Sequence, residues 1–183
     1  MRVMLLNPPP AGGVNVVREG RCMQRTGAWT SVWAPVTLAT TAALLREEGF
    51  EVRIADGSVE GFDSAGLERM IADFRPGLVV INTATPSIET DIATASLAKA
   101  AWPQARTLAL GIHTSALTDS CFAMDDELDM AVRGEPEYTV RDAALALGEG
   151  KGPEGVAGLS WRQDGEVRHN PDRPFIEDLD ALP

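Results

Sequence analysis

The sequence predicts an α/β domain in which helices cover both faces of a five-stranded parallel sheet. Short apolar runs alternate with segments of helical spacing, and the runs are hydrophobic at nearly every position. Parallel strands are buried on both faces, and strict alternation of strand and helix builds right-handed βαβ units. The length of 183 residues suits one such domain with a small appendage. We therefore expect a Rossmann-like (flavodoxin-like) three-layer domain.

The predicted strands are short apolar runs, each followed by a small or polar residue. The first run is too short, and too soon interrupted by proline, to be a signal peptide. In chain order the strands are Val3–Leu6, Val52–Ala55, Leu78–Ile81, Thr107–Leu110 and Met130–Val132.

Between these strands, apolar residues recur at the spacing of one helix face. Gly49 and Gly148 are candidate C-terminal caps, and Pro86 and Pro136 suit the first turn of a helix. The predicted helices are Pro35–Glu48, Ser64–Phe74, Ser87–Ala101, a weaker one from about Ser115 to Phe122, and Glu137–Leu147.

The C-terminal part has a different character. Gly148–Gly155 has the composition of a linker, and Asp164-Gly165 favours a hairpin turn between Gly158–Arg162 and Glu166–His169. An extended tail then runs to the last residue, Pro183. We expect residues 1–148 to form the Rossmann-like domain. Residues 149–183 are expected to form a β-hairpin and linker leading to a further domain.

Composition and charge exclude several classes of function. A net charge of −11 disfavours nucleic acid as a partner, and no apolar run approaches the roughly 20 residues of a membrane span. Cys22 and Cys121 lie far apart, so neither a disulfide framework nor a cysteine-based zinc or iron–sulfur site can be built. A reducing cytoplasm is the expected compartment.

Ligands of open parallel sheets bind beyond the carboxyl ends of the strands, so the loops after the strands form the candidate binding site. The loop from residue 7 to residue 34 is unusually long, and with Trp29 and Trp33 it predicts either a binding surface or a lid. Side chains that follow four of the strands are candidate site residues: Asn7, Pro8, Pro9, Thr83, Ala84, Thr85, Gly111, Ile112, His113, Arg133, Gly134 and Glu135.

Several of these candidates also have a purely structural interpretation. Thr85 or Ser87 could cap the following helix, and Glu135 could favour the positive end of a helix dipole. His113 could be a metal ligand or donor, although a histidine without a partner is more often structural. Gly111 removes a side chain at the edge and allows close approach, so we expect Gly111→Trp to block ligand docking without disrupting the fold.

Familiar nucleotide and hydrolase motifs are absent. The sequence has no Gly-x-Gly-x-x-Gly after the first strand, no Gly-Lys-Ser/Thr phosphate loop and no Gly-x-Ser-x-Gly. Two isolated histidines do not make a catalytic dyad. The residues alone predict a ligand-binding α/β domain.

Four stretches together resemble the N-terminal cobalamin (B12)-binding domain of class B radical-SAM enzymes. They are Val3–Pro9, Pro35–Asp56, Leu78–Ser87, and Gly111–His113 continuing through Arg133-Gly134-Glu135-Pro136-Glu137. The ending, from Gly158 to Pro183, resembles the hairpin and linker that precede the radical-SAM barrel.

The resemblance implies that the candidate residues bind a corrinoid ring over the carboxyl edge of the sheet. Its nucleotide tail would then lie between the sheet and the helices. The Asp-x-His-x-x-Gly motif that supplies a cobalt ligand is missing after the first strand, and His113 follows the fourth strand, so it is not that ligand. The chain also lacks the Cys-x-x-x-Cys-x-x-Cys motif. An iron–sulfur cluster and S-adenosylmethionine are therefore expected only in a barrel of the full-length protein, whose reaction would be methyl transfer or related radical chemistry.

The alternatives to a cobalamin domain are a corrinoid-free module and a flavodoxin-like protein. A degenerate Rossmann-like module without corrinoid would act in substrate binding or protein interaction. The sequence argues against a stand-alone flavodoxin-like regulator or flavoprotein. A response-regulator domain would need an acidic cluster after the first strand, where the chain has Asn7-Pro8-Pro9-Pro10 instead.

Overall fold

The computed structural model describes residues 1–10 and 33–183 and shows one sheet with helices on both faces. Its seven strands have the order β2-β1-β3-β4-β5-β6-β7. The strands are β1 Arg2–Asn7, β2 Glu51–Asp56, β3 Leu78–Asn82, β4 Arg106–Leu110, β5 Met130–Val132, β6 Leu159–Gln163 and β7 Glu166–His169.

Helices connect the parallel strands. Those in the described ranges are α1 Val36–Glu47, α2 Gly57–Glu60, α3 Ser64–Phe74, α4 Ile88–Ile92, α5 Thr94–Ala101, α6 Ile112–Ala116, α7 Thr118–Met124 and α8 Glu137–Gly148. Short 3-10 turns occur at Thr85–Ser87 and Leu179–Ala181. Among these elements, no helix combines the length and the apolar character that a bilayer crossing demands.

The core has two layers, one on each side of the sheet. Successive side chains of a strand point to opposite faces, so Val3 and Leu5 pack with α1 and α8 while Met4 and Leu6 pack with α3, α4, α5 and α7. These four side chains of β1 are fully buried. The near-continuous apolar runs of the sequence follow from this double burial.

The fold class is confirmed, but the predicted number of strands is wrong. The first five strands are parallel, as expected, and the predicted hairpin extends the same sheet to seven strands. Strand β6 pairs antiparallel with β5, with Val132 opposite Leu159 and Met130 opposite Trp161, and β7 pairs with β6. Without this pairing, β5 would present an unpaired backbone edge.

The structure refines the other elements. Each parallel strand begins and ends within one residue of its prediction. The predicted helix 87–101 divides into α4 and α5, the weak helix near 115–122 becomes α6 and α7, and α2 is new. Gly49 has φ of +81° just beyond α1, as a C-terminal cap requires, whereas Gly148 lies within α8.

Candidate functional site

A cavity of about 380 Å³ lies at the carboxyl edge of the sheet, and we call it the edge cavity. It is bounded by the ends of β3, β4 and β5, by the first turns of α1 and α8, and by the C-terminal tail. Its lining residues are Thr37, Asn82, Thr83, Leu110, Gly111, Ile112, Ser115, Gly134, Glu135, Pro136, Glu137, Ile176, Leu179 and Leu182. Parallel α/β sheets bind ligands at this edge.

Side chains at the ends of three neighbouring strands form a buried hydrogen-bond relay. Asn82 Nδ2 donates to Asn7 Oδ1 at 2.9 Å, and Asn7 Nδ2 donates to Asp56 Oδ2 at 2.9 Å. The other Asp56 oxygen accepts the backbone N–H of Ser58 at 3.0 Å and so caps α2. The relay holds Asn82 at the wall of the edge cavity.

Pro8 and Pro9, two of the candidates after β1, lie beside this relay. A Cβ placed on Gly57 would be 2.6 Å from the Pro9 Cα atom, so the diproline packs closely on the start of α2. Neither proline lines the edge cavity.

Thr83 and Gly111 join the ends of β3 and β4. The Thr83 backbone N–H and hydroxyl both donate to Leu110 O at 2.9 Å. Gly111 has φ of +137°, and a Cβ there would lie 2.6 Å from Thr83 O and 2.7 Å from Thr83 Oγ1. The expectation that Gly111→Trp would leave the fold intact is therefore wrong, because neighbouring backbone already fills the space beside Gly111.

Gly134, unlike Gly111, has open space beside its backbone. It has φ of +80° and is exposed at the cavity, and no atom of residues 1–10 or 33–183 lies within 4 Å of a Cβ built on it. Its N–H donates to Ser115 Oγ at 3.1 Å, and that hydroxyl donates to Gly111 O at 3.0 Å. These bonds hold the turn after β5 against the start of α6.

Two glutamates and the tail form the outer wall of the edge cavity. Glu135 Oε2 accepts the backbone N–H of Ile176 at 2.6 Å. Burial raises the pKa of Glu137 above its ordinary value of 4.5, and the charge of Glu135 raises it further, while the Glu137 backbone N–H lowers it in part. The apolar side chains of Ile176, Leu179 and Leu182 complete this wall.

Arg133 is directed away from the edge cavity. Its guanidinium donates to Asp172 Oδ1 at 2.9 Å, and also to Ser160 Oγ and to the backbone oxygen of Asn170. The side chain is 16% exposed. Arg133 therefore joins the end of β5 to β6 and the tail.

The remaining candidates lie around the edge. Ile112 lines the cavity and is 70% exposed, whereas His113, on the same helix, is half-buried and outside the lining. Ala84 is buried and Thr85 is exposed. Neither Thr85 nor Ser87 caps a helix with its side chain, so the expectation that one of them is an N-cap is wrong. Asp91 Oδ2 instead accepts hydrogen bonds from Ala84 N and Ser87 Oγ.

Within the described ranges, no group of three or more His, Cys, Asp or Glu side chains is arranged to hold a metal ion. Cys121 is buried, which raises the pKa of its thiol to about 11.

Most of the long loop from residue 7 to residue 34, including Cys22 and Trp29, lies outside the described residues. Trp33, near the end of that loop, is 64% exposed.

Sequence reasoning missed three features of the site. Asn82 and Asp56 each end a strand as a polar residue after an apolar run, which is a signal that could have marked them. Ser115, which accepts a hydrogen bond from Gly134 N, does not follow an apolar run, so the sequence gives no comparable signal for it. Ile176, Leu179 and Leu182 recur every three residues in a polar tail, so their spacing could have indicated a surface that packs on the domain.

The chain matches a family model and longer proteins from bacteria and archaea. The model, described as the B12 binding domain, matches residues 26–144. Over 183 residues the chain is 29% identical to the uncharacterized methyltransferase PH0819 of Pyrococcus horikoshii, covering all of this chain and 37% of that protein. It is 26% identical to the anaerobic magnesium-protoporphyrin IX monomethyl ester cyclase of Rubrivivax gelatinosus, covering all of this chain and 32% of that protein.

A solved structure has the same fold. The radical S-adenosylmethionine methyltransferase TsrM from Kitasatospora setae, solved with cobalamin and a 4Fe–4S cluster bound, matches with a TM-score of 0.73 and 19% identity. The match covers all of this chain and 31% of TsrM. The chain thus spans about a third of the length of each of these three proteins.

Proposed function

The chain belongs to the B12-binding domain family, and on that premise we propose that it holds cobalamin at the edge cavity as the cofactor-carrying part of a longer radical-SAM enzyme. The observation that supports this most directly is the edge cavity itself. It opens at the carboxyl ends of β3, β4 and β5, between the sheet and the helices α1 and α8. The resemblance found in the sequence implied a nucleotide tail in this position.

The cavity residues fit one arm of a corrinoid. Pockets that enclose a whole drug-sized ligand measure roughly 300–1,000 Å³, so about 380 Å³ would suit a side arm or nucleotide tail of a corrinoid and not the whole cofactor. Gly134 leaves the cavity mouth free of a side chain. Asn82, Thr83 and Glu135 supply polar groups inside it, and Ile112 and Leu179 supply apolar surface.

Bound cobalamin supplies a cobalt centre that carries a methyl group or supports radical chemistry. This chain's own residues bind and orient that cofactor and exclude water from one side of it. We propose that a radical-SAM barrel elsewhere in the full-length protein supplies the iron–sulfur cluster and S-adenosylmethionine. The relatives include a methyltransferase and a cyclase, so methyl transfer or a related radical reaction is the proposed chemistry.

The test is a titration of the chain with hydroxocobalamin, followed by desalting and an absorbance spectrum. We expect about one equivalent of corrinoid to remain bound. Gly134→Asn should weaken retention by about tenfold, because asparagine tolerates a left-handed backbone and its side chain would enter the cavity mouth. Gly61→Asn is the matched control, since Gly61 also has open space and a φ of +69° but lies outside the cavity lining.

His113→Ala should leave the spectrum of the bound corrinoid unchanged, because His113 lies outside the cavity lining. A clear shift of the bands would identify His113 as a cobalt ligand. If neither this chain nor the full-length protein retained corrinoid, the proposal would be wrong, and a corrinoid-free module for substrate binding or protein interaction would replace it.

A further inference from the structure

The hydrogen-bond relay at the strand ends determines which atom of Asn82 is available to a ligand. Asp56 stands at its inner end, and a carboxylate accepts hydrogen bonds but does not donate them. Because both Asp56 oxygens are occupied, by Ser58 N–H and by Asn7 Nδ2, the orientation of the Asn7 amide is set. Asn7 must then present Oδ1 to Asn82, which must donate to it through Nδ2.

The Asn82 oxygen is consequently the atom left for the edge cavity. Asn82 is 5% exposed and lines the cavity, and no donor in residues 1–10 or 33–183 is bonded to its Oδ1. In that same part of the chain, Trp161 Nε1 is the only fully buried side-chain nitrogen or oxygen without a partner. Asn82 Oδ1 is therefore accessible, and it can accept a hydrogen bond from a ligand.

Other side-chain oxygens of the cavity have the same polarity. Thr83 donates its hydroxyl proton to Leu110 O, so only its lone pairs remain. Glu135 presents a carboxylate, and one of its oxygens already accepts from Ile176 N. A carboxylate on a ligand arm would face these acceptors without a shared proton.

We propose that Asn82 is a specificity-determining residue, held by Asp56 and Asn7 so that the edge cavity selects a ligand arm that donates hydrogen bonds. The carboxamide arms of a corrinoid are such groups, and the corresponding carboxylates are not. This inference rests on the proposed cobalamin function and names the chemical group that the cavity recognises. Asp56 is a positioning residue, because it lies outside the cavity and acts through Asn7.

The relay makes an isosteric variant informative. In Asp56→Asn, the Ser58 N–H still requires an acceptor, so the new Oδ1 would face Ser58 and the new Nδ2 would face Asn7. Asn7 and Asn82 would each turn over, and Asn82 would present Nδ2 to the cavity. Aspartate and asparagine cap helices about equally well, so we expect α2 and the melting temperature to be preserved.

The experiment compares hydroxocobalamin with the cobalamin monocarboxylates, in which one side-chain carboxamide is a carboxylate. Wild-type chain should bind at least one monocarboxylate about tenfold more weakly than hydroxocobalamin. Asp56→Asn should reduce or reverse that preference, and it should shift the side-chain amide NMR resonances of Asn7 and Asn82 without any ligand. Asp63→Asn is the matched control, because Asp63 caps α3 in the same way, through Gly66 N, outside the relay.

The outcomes separate this inference from the proposed function. If wild-type chain bound hydroxocobalamin and every monocarboxylate equally, the specificity role of Asn82 would be wrong while the cobalamin function remained. An unchanged preference in Asp56→Asn would overturn the relay. If the wild-type chain retained no corrinoid at all, the proposed function would fail, and this inference would fail with it.

Discussion

At the scale of single residues, three glycines that share a positive φ differ in what surrounds them. Gly111 lies against Thr83, whereas around Gly61 and Gly134 the described part of the chain has no atom within 4 Å of the position that a Cβ would take. Gly111 also has ψ of 173°, which with φ of +137° is a region that only glycine occupies readily. A positive φ therefore indicates a need for glycine, and the neighbours decide the cost of replacing it.

We expect Gly111→Ala to lower the free energy of unfolding by about 3 kcal/mol, because it adds a steric clash to an unfavourable backbone conformation. Gly61→Ala is the control and should cost about 1 kcal/mol, the penalty of a left-handed conformation alone. Denaturant unfolding of both variants measures the difference. Equal losses would show that β3 and β4 can separate to admit the methyl group.

At the scale of elements, two arginines and one glutamate attach the C-terminal tail to the domain. Arg133 joins the end of β5 to Asp172, and Arg173 donates to Thr139 Oγ1 at 2.9 Å on α8. Glu135 then holds Ile176 at the edge cavity. The tail is thus positioned by contacts on both sides of the turn that contains Gly134.

The Glu135 contact can be tested by hydrogen exchange. A short hydrogen bond from a backbone N–H to a carboxylate is stronger than a neutral one. Glu135→Ala should therefore accelerate exchange of the Ile176 amide by about tenfold, since a local opening no longer has to break that bond. Glu177→Ala is the matched control, because Glu177 is an exposed glutamate in the same tail. Unchanged exchange in Glu135→Ala would show that other contacts hold the tail.

At the scale of the whole molecule, the hairpin belongs to the same core as the parallel strands. Trp161 of β6 is 7% exposed and packs in the cluster that contains Val3, Leu38 and Val140. This packing links the last strands of the sheet to α1 and α8. We therefore expect the described part of the chain to unfold as one unit.

Trp161→Ala tests that expectation. It should destabilise the domain by about 3–5 kcal/mol, as expected for removing a buried tryptophan, and should shift the main thermal transition measured by circular dichroism. Trp161→Phe should cost much less, because the indole N–H has no hydrogen-bond partner to lose among the residues that the structure describes. Trp33→Ala is the control, since Trp33 is 64% exposed. A main transition left in place by Trp161→Ala would make the hairpin an independent appendage.

Hydrophobic patterning alone determined the five parallel strands and the principal helices. Runs such as Leu78–Ile81 are short and apolar throughout, and the neighbouring segments have a helical period, so local sequence carries that information. It also placed the candidate loops at one edge of the sheet, because parallel strands end on the same side. The candidates that line the edge cavity are Thr83, Gly111, Ile112, Gly134 and Glu135.

Only the tertiary structure decided the rest. Arg133 follows β5 as Gly134 does, yet its side chain turns to Asp172, and no local pattern shows which way a long side chain points. The partners in the relay are 49 and 75 residues apart, so their contact depends on the strand order β2-β1-β3. The hairpin could be recognised from its turn, but its place beside β5 follows from long-range pairing and the burial of Trp161.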